Sequence, residues 1–559
     1  METSCSYAEL EHKLQRMEAR LDDQSETIKA LRILVSFYEE KLHVAKRSQF
    51  GASNEQIPEQ MKIEGLVGEI FNEAEDQSEL KRPEPTYEEI TYKRKKRVGK
   101  RGDDLSGLPV ERVEYELTES ERICPKCGDP MHDIGVTVRD EIVFIPARII
   151  HKEHAVHAYA CKLCNKESDS ASIVRALAPR PLIAGSLATP SAVAHIAVQK
   201  YINGVPLYRQ EKGFEYDNIN LSRQTVSNWL VYCAQNYLAA IYSLLISQLK
   251  MEKYLHADET TVQVLNEPGR KAQTKSYEWL YRSGRSAGHN IVIYDYQETR
   301  GHEHPEEFLN GFNGYLHCDG YQGYHKLPEN IIIIGCWAHV RRYWEKAYES
   351  VPEEKRDGSL AECGLAYTSL MFLLEDEYQD KPPDERLKLR IEFSKRVSDE
   401  FFKWVGELNV LPKSLLGEAV HYSLSQQKYL ENIFLDGHLE ISNNRAERSV
   451  KPFVQGRKQW LFSNTPNGAE SSSIIYSILE TAKENNLHPF YYMKFLLEKL
   501  PNTKYDNIVD LLPWSSKLPF ECRVPARPVK PERKKKIERS LHQAIYRLRK
   551  KILIFQCPE

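Results

Sequence analysis

Apolar residues recur at alternating steps of four and three near the N-terminus, which is the heptad pattern of a coiled coil. The positions are Leu10, Leu14, Met17, Leu21, Gln24, Ile28, Leu31, Val35, Tyr38, Leu42 and Ala45. Charged residues lie between them, and the polar Gln24 can help to fix the register. The pattern predicts a coiled coil over residues 8–48 that joins copies of the chain into a homo-oligomer. The alternative is one long amphipathic helix packed on its own protein.

Residues 49–112 lack this periodicity. They are polar and charged and contain Pro83 and Pro85, so the sequence predicts a linker. The basic run Lys93–Arg97 lies within it, followed by Lys100 and Arg101. Two interpretations of this run stay open, a solvated linker and an arm that contacts DNA phosphates.

Five segments between residues 249 and 349 have the composition of β-strands. They are Tyr254–Val264, Ser276–Arg282, Asn290–Tyr294, Gly314–Tyr321 and Ile331–Ile334, with a short helix at Pro305–Leu309 and a longer one at Trp337–Tyr348. Three strands, a helix, two strands and a helix follow one another in the order of an RNase H-like sheet. In that sheet the first strand lies centrally, beside the fourth.

The other segments have helical composition. Residues 176–248 predict a helical domain, and residues 350–440 predict a helical insertion that separates the first part of the core (249–349) from its second part (441–500). Such an insertion can cover DNA or stabilise a hairpin. Residues 501–559 form a C-terminal segment with a basic tail. The predicted fold class is multidomain α+β, with a coiled coil, a zinc-binding domain, a helical DNA-binding domain and an RNase H-like α/β catalytic core.

Composition narrows the class of protein. The chain has 559 residues, 41% of them hydrophobic, which suffices for several cores. The formal net charge is -3, so no overall positive field indicates nucleic acid. We find no run of about 18 apolar residues and no apolar leader, so we expect no membrane span or signal peptide. The sequence therefore predicts a cytoplasmic protein.

Two C-x-x-C pairs lie in the predicted domain 113–175. They are Cys124 with Cys127, and Cys161 with Cys164. Each pair offers two thiolates from one turn, and two pairs satisfy a tetrahedral structural Zn²⁺. The long interval between the pairs leaves other ligands open, namely His132, His151, His154 and His157.

A helix beginning after Ser222 has the pattern of a DNA-reading helix. Ser222 is a candidate N-cap, and Val226, Trp229 and Leu230 supply a buried face. The residues left for the other face are Arg223, Gln224, Ser227 and Asn228. Arg and Gln can read base edges in a major groove, although polar helix faces are common.

Charged residues interrupt the first predicted strand. His256, Asp258 and Glu259 lie in its middle, and Asp319 ends the fourth strand. Side by side, Asp258 and Asp319 would repel each other unless a cation neutralised them. Oxygen ligands suit Mg²⁺ or Mn²⁺, so the aspartates predict a catalytic metal site. His256 and Glu259 are candidate assisting groups, whereas Asp295 at another strand end is interpreted as structural.

A third carboxylate is needed for two-metal phosphoryl transfer. The best candidate is Glu447, on a helix that Ser442 can cap and that places Asn443 and Asn444 on the same face. Basic residues follow along this helix and continue the charge. Together with the earlier helices, the residues predicted to contact DNA are Arg223, Gln224, Ser227, Asn228, His339, Arg341, Arg342, Asn443, Asn444, Arg448, Lys451, Arg457 and Lys458.

Several blocks together resemble the large transposase of the insertion sequence 66 family. They are FGASNEQ, CPKCG with YACKLC, PLYRQEKGFEYDNINLSRQTVSNWL, HADET, CDGYQGY, CWAHVRRYWEKAY and NNRAERSVKPFVQGRKQWLFSNTPNGA, spread over residues 10–515. The resemblance implies a bacterial DDE recombinase with Asp258, Asp319 and Glu447 as its triad. It also implies small accessory proteins encoded by the same element. Members of the family end soon after a segment like Leu511–Trp514, so the tail through Glu559 is a departure with no assigned role.

The sequence thus predicts a transposase that binds the inverted-repeat ends of its element and performs cleavage and strand transfer on double-stranded DNA, associated with the bacterial nucleoid. Two alternatives remain. One is a sequence-specific DNA-binding protein that has lost transposition. The other is a structure-selective nuclease with the same core, which would need no module for end recognition.

Overall fold

The computed structural model describes residues 149–160, 173–176, 180–502 and 505–524. Four predictions lie outside these residues: the coiled coil (8–48), the linker (49–112), the zinc ligands Cys124, Cys127, Cys161 and Cys164, and the basic tail. The described residues belong to two compact units, which divide between Ser186 and Leu187.

The smaller unit contains a two-stranded antiparallel sheet. Strand β1 (Ala158–Ala160) pairs with strand β2 (Ile173–Arg175), with Tyr159 opposite Val174. The N–H of Ala176 donates to the carbonyl of His157 at 2.9 Å and extends the pairing. Within the predicted zinc-binding region, the sheet therefore ties these two short segments together.

The larger unit begins with helices. They are α1 (Pro190–Tyr201), α2 (Leu207–Tyr216), α3 (Arg223–Cys233) and α4 (Ala239–Lys250), the last two joined by a π-helical turn at Ala234–Leu238. Thr189 caps α1 by accepting from the N–H of Ala192 at 3.2 Å. Gly204, with φ of 67°, and Pro206 separate α1 from α2.

Helix α3 has the predicted cap and the predicted buried face. The hydroxyl of Ser222 accepts from the N–H of Thr225 at 3.2 Å. Val226, Trp229 and Leu230 are buried. This face packs on helix α12 (Pro466–Glu484), so the opposite face of α3 is turned outward.

The continuous helical run Arg223–Lys250 is long and apolar enough to cross a membrane by length and composition alone. The core helix of a soluble protein meets the same criterion. In this chain Leu238, Ile241, Leu245 and Leu249 are buried, so one side of this run packs against other parts of the protein.

A five-stranded mixed sheet forms the centre of the larger unit. Its strands are β3 (Tyr254–Gln263), β4 (Lys275–Ser283), β5 (Val292–Gln297), β6 (Gly314–Cys318) and β7 (Ile331–Gly335). They lie in the order β5-β4-β3-β6-β7, with the first three antiparallel and β6 and β7 parallel to β3. The predicted central position of the first strand beside the fourth is confirmed. The short helix α5 (Glu303–Phe308) begins two residues earlier than predicted.

Helix α12 covers the edge strand β5. The hydroxyl of Ser477 accepts from the N–H of Tyr294 at 2.8 Å, and that of Thr481 accepts from the N–H of Val292 at 3.0 Å. Ser477 and Thr481 are one helical turn apart and face the same side. Their hydroxyls satisfy strand groups that would otherwise be open to pairing with another chain.

The helical insertion after the fifth strand is present as predicted. It follows α6 (Trp337–Ser350) and contains α7 (Leu360–Tyr378), α8 (Pro383–Leu389), α9 (Lys395–Glu407) and α10 (Leu415–Leu430). Trp344 is fully buried against Phe401, and its indole N–H donates to Ser423 at 3.0 Å. Gly364 leaves room for this ring, because a Cβ there would lie 2.0 Å from Trp344. The insertion is thus anchored on α6.

Helix α11 (Asn444–Trp460) returns the chain to the sheet, and α12 and α13 (Pro489–Lys499) follow. The prediction that Ser442 caps α11 is wrong. The N-cap is Asn443, and Ser442 lies one residue before it. Asn443 does not cap the helix with its side chain either, because its amide forms other hydrogen bonds.

Candidate active site

Two aspartates lie side by side on the two central parallel strands. His256 of β3 is in register with His317 of β6. Asp258 and Asp319 each lie two residues further along, the first within β3 and the second directly after β6. Because side chains alternate along a strand and parallel neighbours stay in register, the two carboxylates extend from the same face.

Glu447, in the first turn of α11, completes an acidic cluster with them. Burial raises the pKa of Asp258 well above its usual value, and the negative charges of Glu259, Asp319 and Glu447 raise it further. Charges have this effect only when they are close. The fold therefore brings together the three carboxylates that the sequence predicted, from the central strand, its neighbour and a distant helix.

Helix α6 supplies a cation to this cluster. Arg342 forms an ion pair with Oε2 of Glu447. One turn earlier, Nδ1 of His339 lies 3.8 Å from Oε1 of Glu447. Arg341 has different partners, since it lies 3.6 Å from Glu345 and donates to Ser369 at 3.3 Å. Of the two adjacent arginines, only Arg342 contacts the acidic cluster.

Glu259, which follows Asp258 in β3, has its own set of partners. It forms an ion pair with Arg300 and accepts a hydrogen bond from the hydroxyl of Tyr324 at 2.7 Å. Burial and the charge of Asp319 raise the pKa of Glu259 to about 7, although Arg300 opposes this shift. Glu259 thus holds an arginine and a tyrosine beside the aspartates.

A buried hydrogen-bond network joins the central strand to the segment before α11. Nδ1 of His256 lies 3.0 Å from Oδ1 of Asn443, and Nε2 lies 3.1 Å from Oε1 of Glu440. The amide of Asn443 donates to the carbonyl of Ala257 at 2.8 Å. These bonds fix the residues just before Asp258 against the residues just before Glu447.

His317 completes the network under the second aspartate. Its ring stacks on that of His256 with centroids 4.3 Å apart, and its Nε2 accepts from the N–H of Glu440 at 2.9 Å. Burial, and then the neighbouring His256, lower the pKa of His317 to about 3, so this ring is neutral near pH 7. Burial alone would raise the pKa of Glu440, but the hydrogen bond from His256 and the nearby cations hold it well below its usual value.

Comparison with known families covers most of the chain. A family model described as the transposase IS66 family matches residues 185–471, just over half of the protein. The chain belongs to this family. Three further models match on either side. They are the zinc-finger binding domain of transposase IS66 at residues 121–165, the IS66 C-terminal element at 477–514, and a model described as transposase C of IS166 homeodomain at 38–113.

These matches give the chain the multidomain architecture of an IS66 transposase, with a mixed α/β core. The zinc-finger match spans all four cysteines of the two C-x-x-C pairs and supports a structural zinc. The match at 38–113 covers the segment predicted to be a linker.

Three relatives come from Sinorhizobium fredii (strain NBRC 101917 / NGR234). The uncharacterized protein y4qI is 33% identical over 62% of this chain and 66% of its own length. The uncharacterized protein y4jD is 27% identical over 74% of this chain and 82% of its own length. The uncharacterized protein y4hP is 26% identical over 76% of this chain and 78% of its own length. The chain thus spans just under two thirds of the first of these relatives and more of the other two.

In this IS66 family member, five of the thirteen side chains predicted to contact DNA are exposed, seven are half-buried and one is buried. Arg223, Gln224 and Asn228 are exposed on α3, and Ser227 is half-buried. The Gln224 amide donates to Oδ1 of Asn228 at 2.9 Å, which holds the two side chains together.

The predicted DNA contacts on α11 are more varied. Arg448 and Lys458 are exposed, and Lys451 and Asn444 are half-buried. Arg457 is half-buried and donates to the hydroxyl of Thr261 at 3.1 Å. Basic side chains therefore follow the helix that carries Glu447.

Asn443 requires a correction. We predicted a DNA contact, but its side chain is 1% exposed and bonds to His256 and Ala257. A side chain enclosed in this way cannot touch DNA. Asn443 is a positioning residue for the strand and the helix that carry the acidic cluster.

The acidic cluster has the donor set of a divalent-cation site. Its three carboxylates offer hard oxygen ligands. Oε1 of Glu447 is shielded from solvent and has no hydrogen-bond partner in the part of the chain that the structure describes. Burial, and then the negative charges of Glu259, Asp319 and Glu447, raise the pKa of Asp258, and a bound cation would offset both effects. The residues would therefore fit Mg²⁺ or Mn²⁺, and Asp258, Asp319 and Glu447 are the candidate ligands.

Without divalent ions, we expect the stability contributed by Glu259 to fall as pH rises from about 4.5, its pKa in the unfolded chain, through its folded pKa of about 7. A carboxyl group whose pKa is raised by folding stabilises the folded state while it is protonated. This contribution is lost as pH rises through the folded pKa, which is about 7 for Glu259. Mg²⁺ at 100 times its Kd is expected to restore about 2.7 kcal/mol. Thermal unfolding across this pH range, in EDTA and in Mg²⁺, measures both effects. Equal pH profiles in the two buffers would contradict the expectation.

The residues that sequence reasoning missed are Glu440, His317, Arg300 and Tyr324. One local signal could have found part of this network. Each aspartate is preceded by a histidine two positions earlier, as His256 precedes Asp258 and His317 precedes Asp319. The repeated pattern places both histidines on the same face of the sheet as the aspartates.

Proposed function

We propose that the protein is a DDE transposase that binds the inverted-repeat ends of an insertion sequence and catalyses Mg²⁺-dependent cleavage and strand transfer. The observation that carries the proposal is the convergence of Asp258, Asp319 and Glu447. Asp258 lies in β3, Asp319 directly follows the neighbouring parallel strand β6, and Glu447 lies on helix α11. The strand order of this sheet is the one expected of an RNase H-like core. Membership of the IS66 transposase family agrees with this function.

Bound Mg²⁺ or Mn²⁺ would supply polarisation of the scissile phosphate and activation of the attacking oxygen. The chain's own residues do the rest. Asp258 and Asp319 present their carboxylates from a rigid sheet, and Arg342 orients Glu447 through their ion pair. In strand transfer, the freed 3′-hydroxyl attacks a target phosphate. A new P–O bond forms to the 3′ oxygen, one P–O bond of the target strand breaks, and the protein forms no covalent bond.

The other parts of the chain would bring DNA to this centre. Helix α3 would read the element ends, while Arg448, Lys451 and Lys458 on α11 would contact the DNA backbone. The four cysteines would hold a structural Zn²⁺, and the segment 8–48 would join copies of the chain so that two ends are paired. Such a protein would act in the bacterial cytoplasm on the nucleoid, with small accessory proteins of the same element.

The test is a strand-transfer assay with the full chain, Mg²⁺ and DNA that carries the element's inverted repeats. Joined products that depend on both Mg²⁺ and the repeat sequence are expected. End binding without any cleavage would overturn the proposal in favour of an inactive DNA-binding protein. Cleavage that ignores the repeat sequence would overturn it in favour of a structure-selective nuclease.

For the recognition helix, we expect Gln224→Ala to weaken binding to the repeat by about 1–3 kcal/mol without weakening binding to unrelated DNA. The Gln224 amide is exposed on α3 and is positioned by Asn228. Lys212→Ala is the matched control, since Lys212 is exposed on α2 and is paired with Glu215 at 2.9 Å. Titrations with repeat and non-repeat DNA at one salt concentration measure the difference. An equal loss on both DNAs would assign Gln224 to the backbone instead.

A further inference from the structure

A second group of potential metal ligands lies against the acidic cluster. Cys336, His339 and Glu447 each offer one ligand atom, and the three atoms all lie within 4.8 Å of one another. Cys336 directly precedes α6, and His339 lies three residues later on the same side. The group therefore combines one end of α6 with the first turn of α11.

Two of the three ligand atoms are unsatisfied. Nδ1 of His339 and Oε1 of Glu447 are both shielded from solvent and have no hydrogen-bond partner among the described residues. They face each other at 3.8 Å. A buried polar atom without a partner is costly, and coordination of an ion would satisfy both atoms.

The third atom is arranged as a metal-bound sulfur would be. Cys336 is 3% exposed, and its Sγ accepts a hydrogen bond from the N–H of Asn443 at 3.1 Å. A donor aimed at sulfur stabilises the negative charge that a coordinating thiolate carries. Cys336 thus has a polar contact that apolar packing alone would not require.

Cys336, His339 and Glu447 favour a different cation from the Mg²⁺ expected at the acidic cluster. Mg²⁺ takes oxygen ligands, whereas one thiolate, one imidazole and one carboxylate suit Zn²⁺. Tetrahedral Zn²⁺ with bonds of about 2.0–2.3 Å separates its ligand atoms by roughly 3.3–3.8 Å. The three atoms lie within 4.8 Å of one another, so they need to approach by about 1.5 Å at most to reach that geometry. Three protein ligands leave a fourth position open.

We propose that Cys336, His339 and Glu447 form a Zn²⁺ site that competes with catalysis. The site shares Glu447 with the acidic cluster, so an ion held there withdraws Oε1 of Glu447 from Asp258 and Asp319. Zinc occupancy thereby inhibits the enzyme. The binding claim stands on the three side chains alone, while the inhibition rests on the proposed function.

The test begins with metal content. The full chain and its Cys336→Ser variant are equilibrated with Zn²⁺, freed of unbound metal, and analysed by mass spectrometry. Cys336→Ser is expected to hold one zinc fewer per chain, with the zinc of the two C-x-x-C pairs retained in both. Cys363→Ser is the matched control, because Cys363 is equally buried but lies in α7. Equal zinc content in all three proteins would overturn the proposal.

If Cys336→Ser fails to fold, His339→Gln takes its place, with the same expected loss of one zinc. The second measurement compares each protein's strand transfer with added Zn²⁺ against its own rate in Mg²⁺ alone. Inhibition is expected for the wild type and for Cys363→Ser, and should be relieved in the variants that lack the site. If the variants differ in zinc content but no protein performs strand transfer, the zinc site is supported and the proposed function is overturned. Failure of the zinc proposal and failure of the proposed function are therefore distinguishable.

Discussion

Asp258→Asn is expected to reduce cleavage and strand transfer by about a thousandfold or more, equivalent to about 4 kcal/mol of transition-state stabilisation. Asn keeps the shape of Asp but removes the negative charge at the centre of the cluster. Asp258 is the carboxylate whose pKa responds to Glu259, Asp319 and Glu447 together, after burial itself, so it lies where their fields overlap. Binding to element ends should be unchanged, because no contact with DNA is assigned to this side chain.

Thermal unfolding separates lost chemistry from lost folding in this variant. Without divalent ions, Asp258→Asn should melt at or above the wild-type temperature, since it relieves repulsion between buried carboxylates. Asp295→Asn is the matched control, because Asp295 is a half-buried carboxylate on the edge strand β5, where burial raises its pKa to about 6. The control should retain strand transfer. Full activity in Asp258→Asn would contradict the assignment of the catalytic carboxylates.

Much of the core could be predicted because its signals are local. The apolar run Ile331–Gly335 and the strand Gly314–Cys318 each carry their own pattern, so their order along the chain was enough to place Asp319 beside Asp258. The helical composition after α6 likewise predicted the insertion. Glu447 could be predicted as the third carboxylate because a polar helix start followed by basic residues is also a local pattern.

The positioning network could not be predicted, because its bonds join segments that are far apart in sequence. His256 and Asn443 are separated by 187 positions, and nothing near either residue indicates its partner. The same limitation explains the error at Ser442. Both Ser442 and Asn443 are favourable N-cap residues, and only the tertiary contacts of Asn443 decide where the helix begins. The sequence predicted a DNA contact for Asn443, but its side chain is buried and joins β3 to the start of α11.

Asn443→Ala is expected to lower strand transfer about a hundredfold, because a displacement of about 1 Å in a catalytic group has an effect of this size. The change leaves Nδ1 of His256 and the carbonyl of Ala257 buried without partners, at about 1–3 kcal/mol each. The melting temperature should therefore fall as well. The single-turnover rate measured at saturating DNA should fall by this factor, and the affinity for element ends should not change.

Temperature distinguishes a positioning role from mere instability. If Asn443 only held the protein folded, strand transfer by Asn443→Ala would recover when assayed well below its melting temperature. If Asn443 aligns the strand of Asp258 with the helix of Glu447, the deficit persists at every temperature and the requirement for Mg²⁺ rises. Asn444→Ala is the neighbouring control. Oδ1 of Asn444 has no hydrogen-bond partner within the described ranges, so its removal should leave the melting temperature nearly unchanged. The two adjacent asparagines thus separate a buried side chain that bonds to the central strand from a half-buried one whose Oδ1 makes no hydrogen bond.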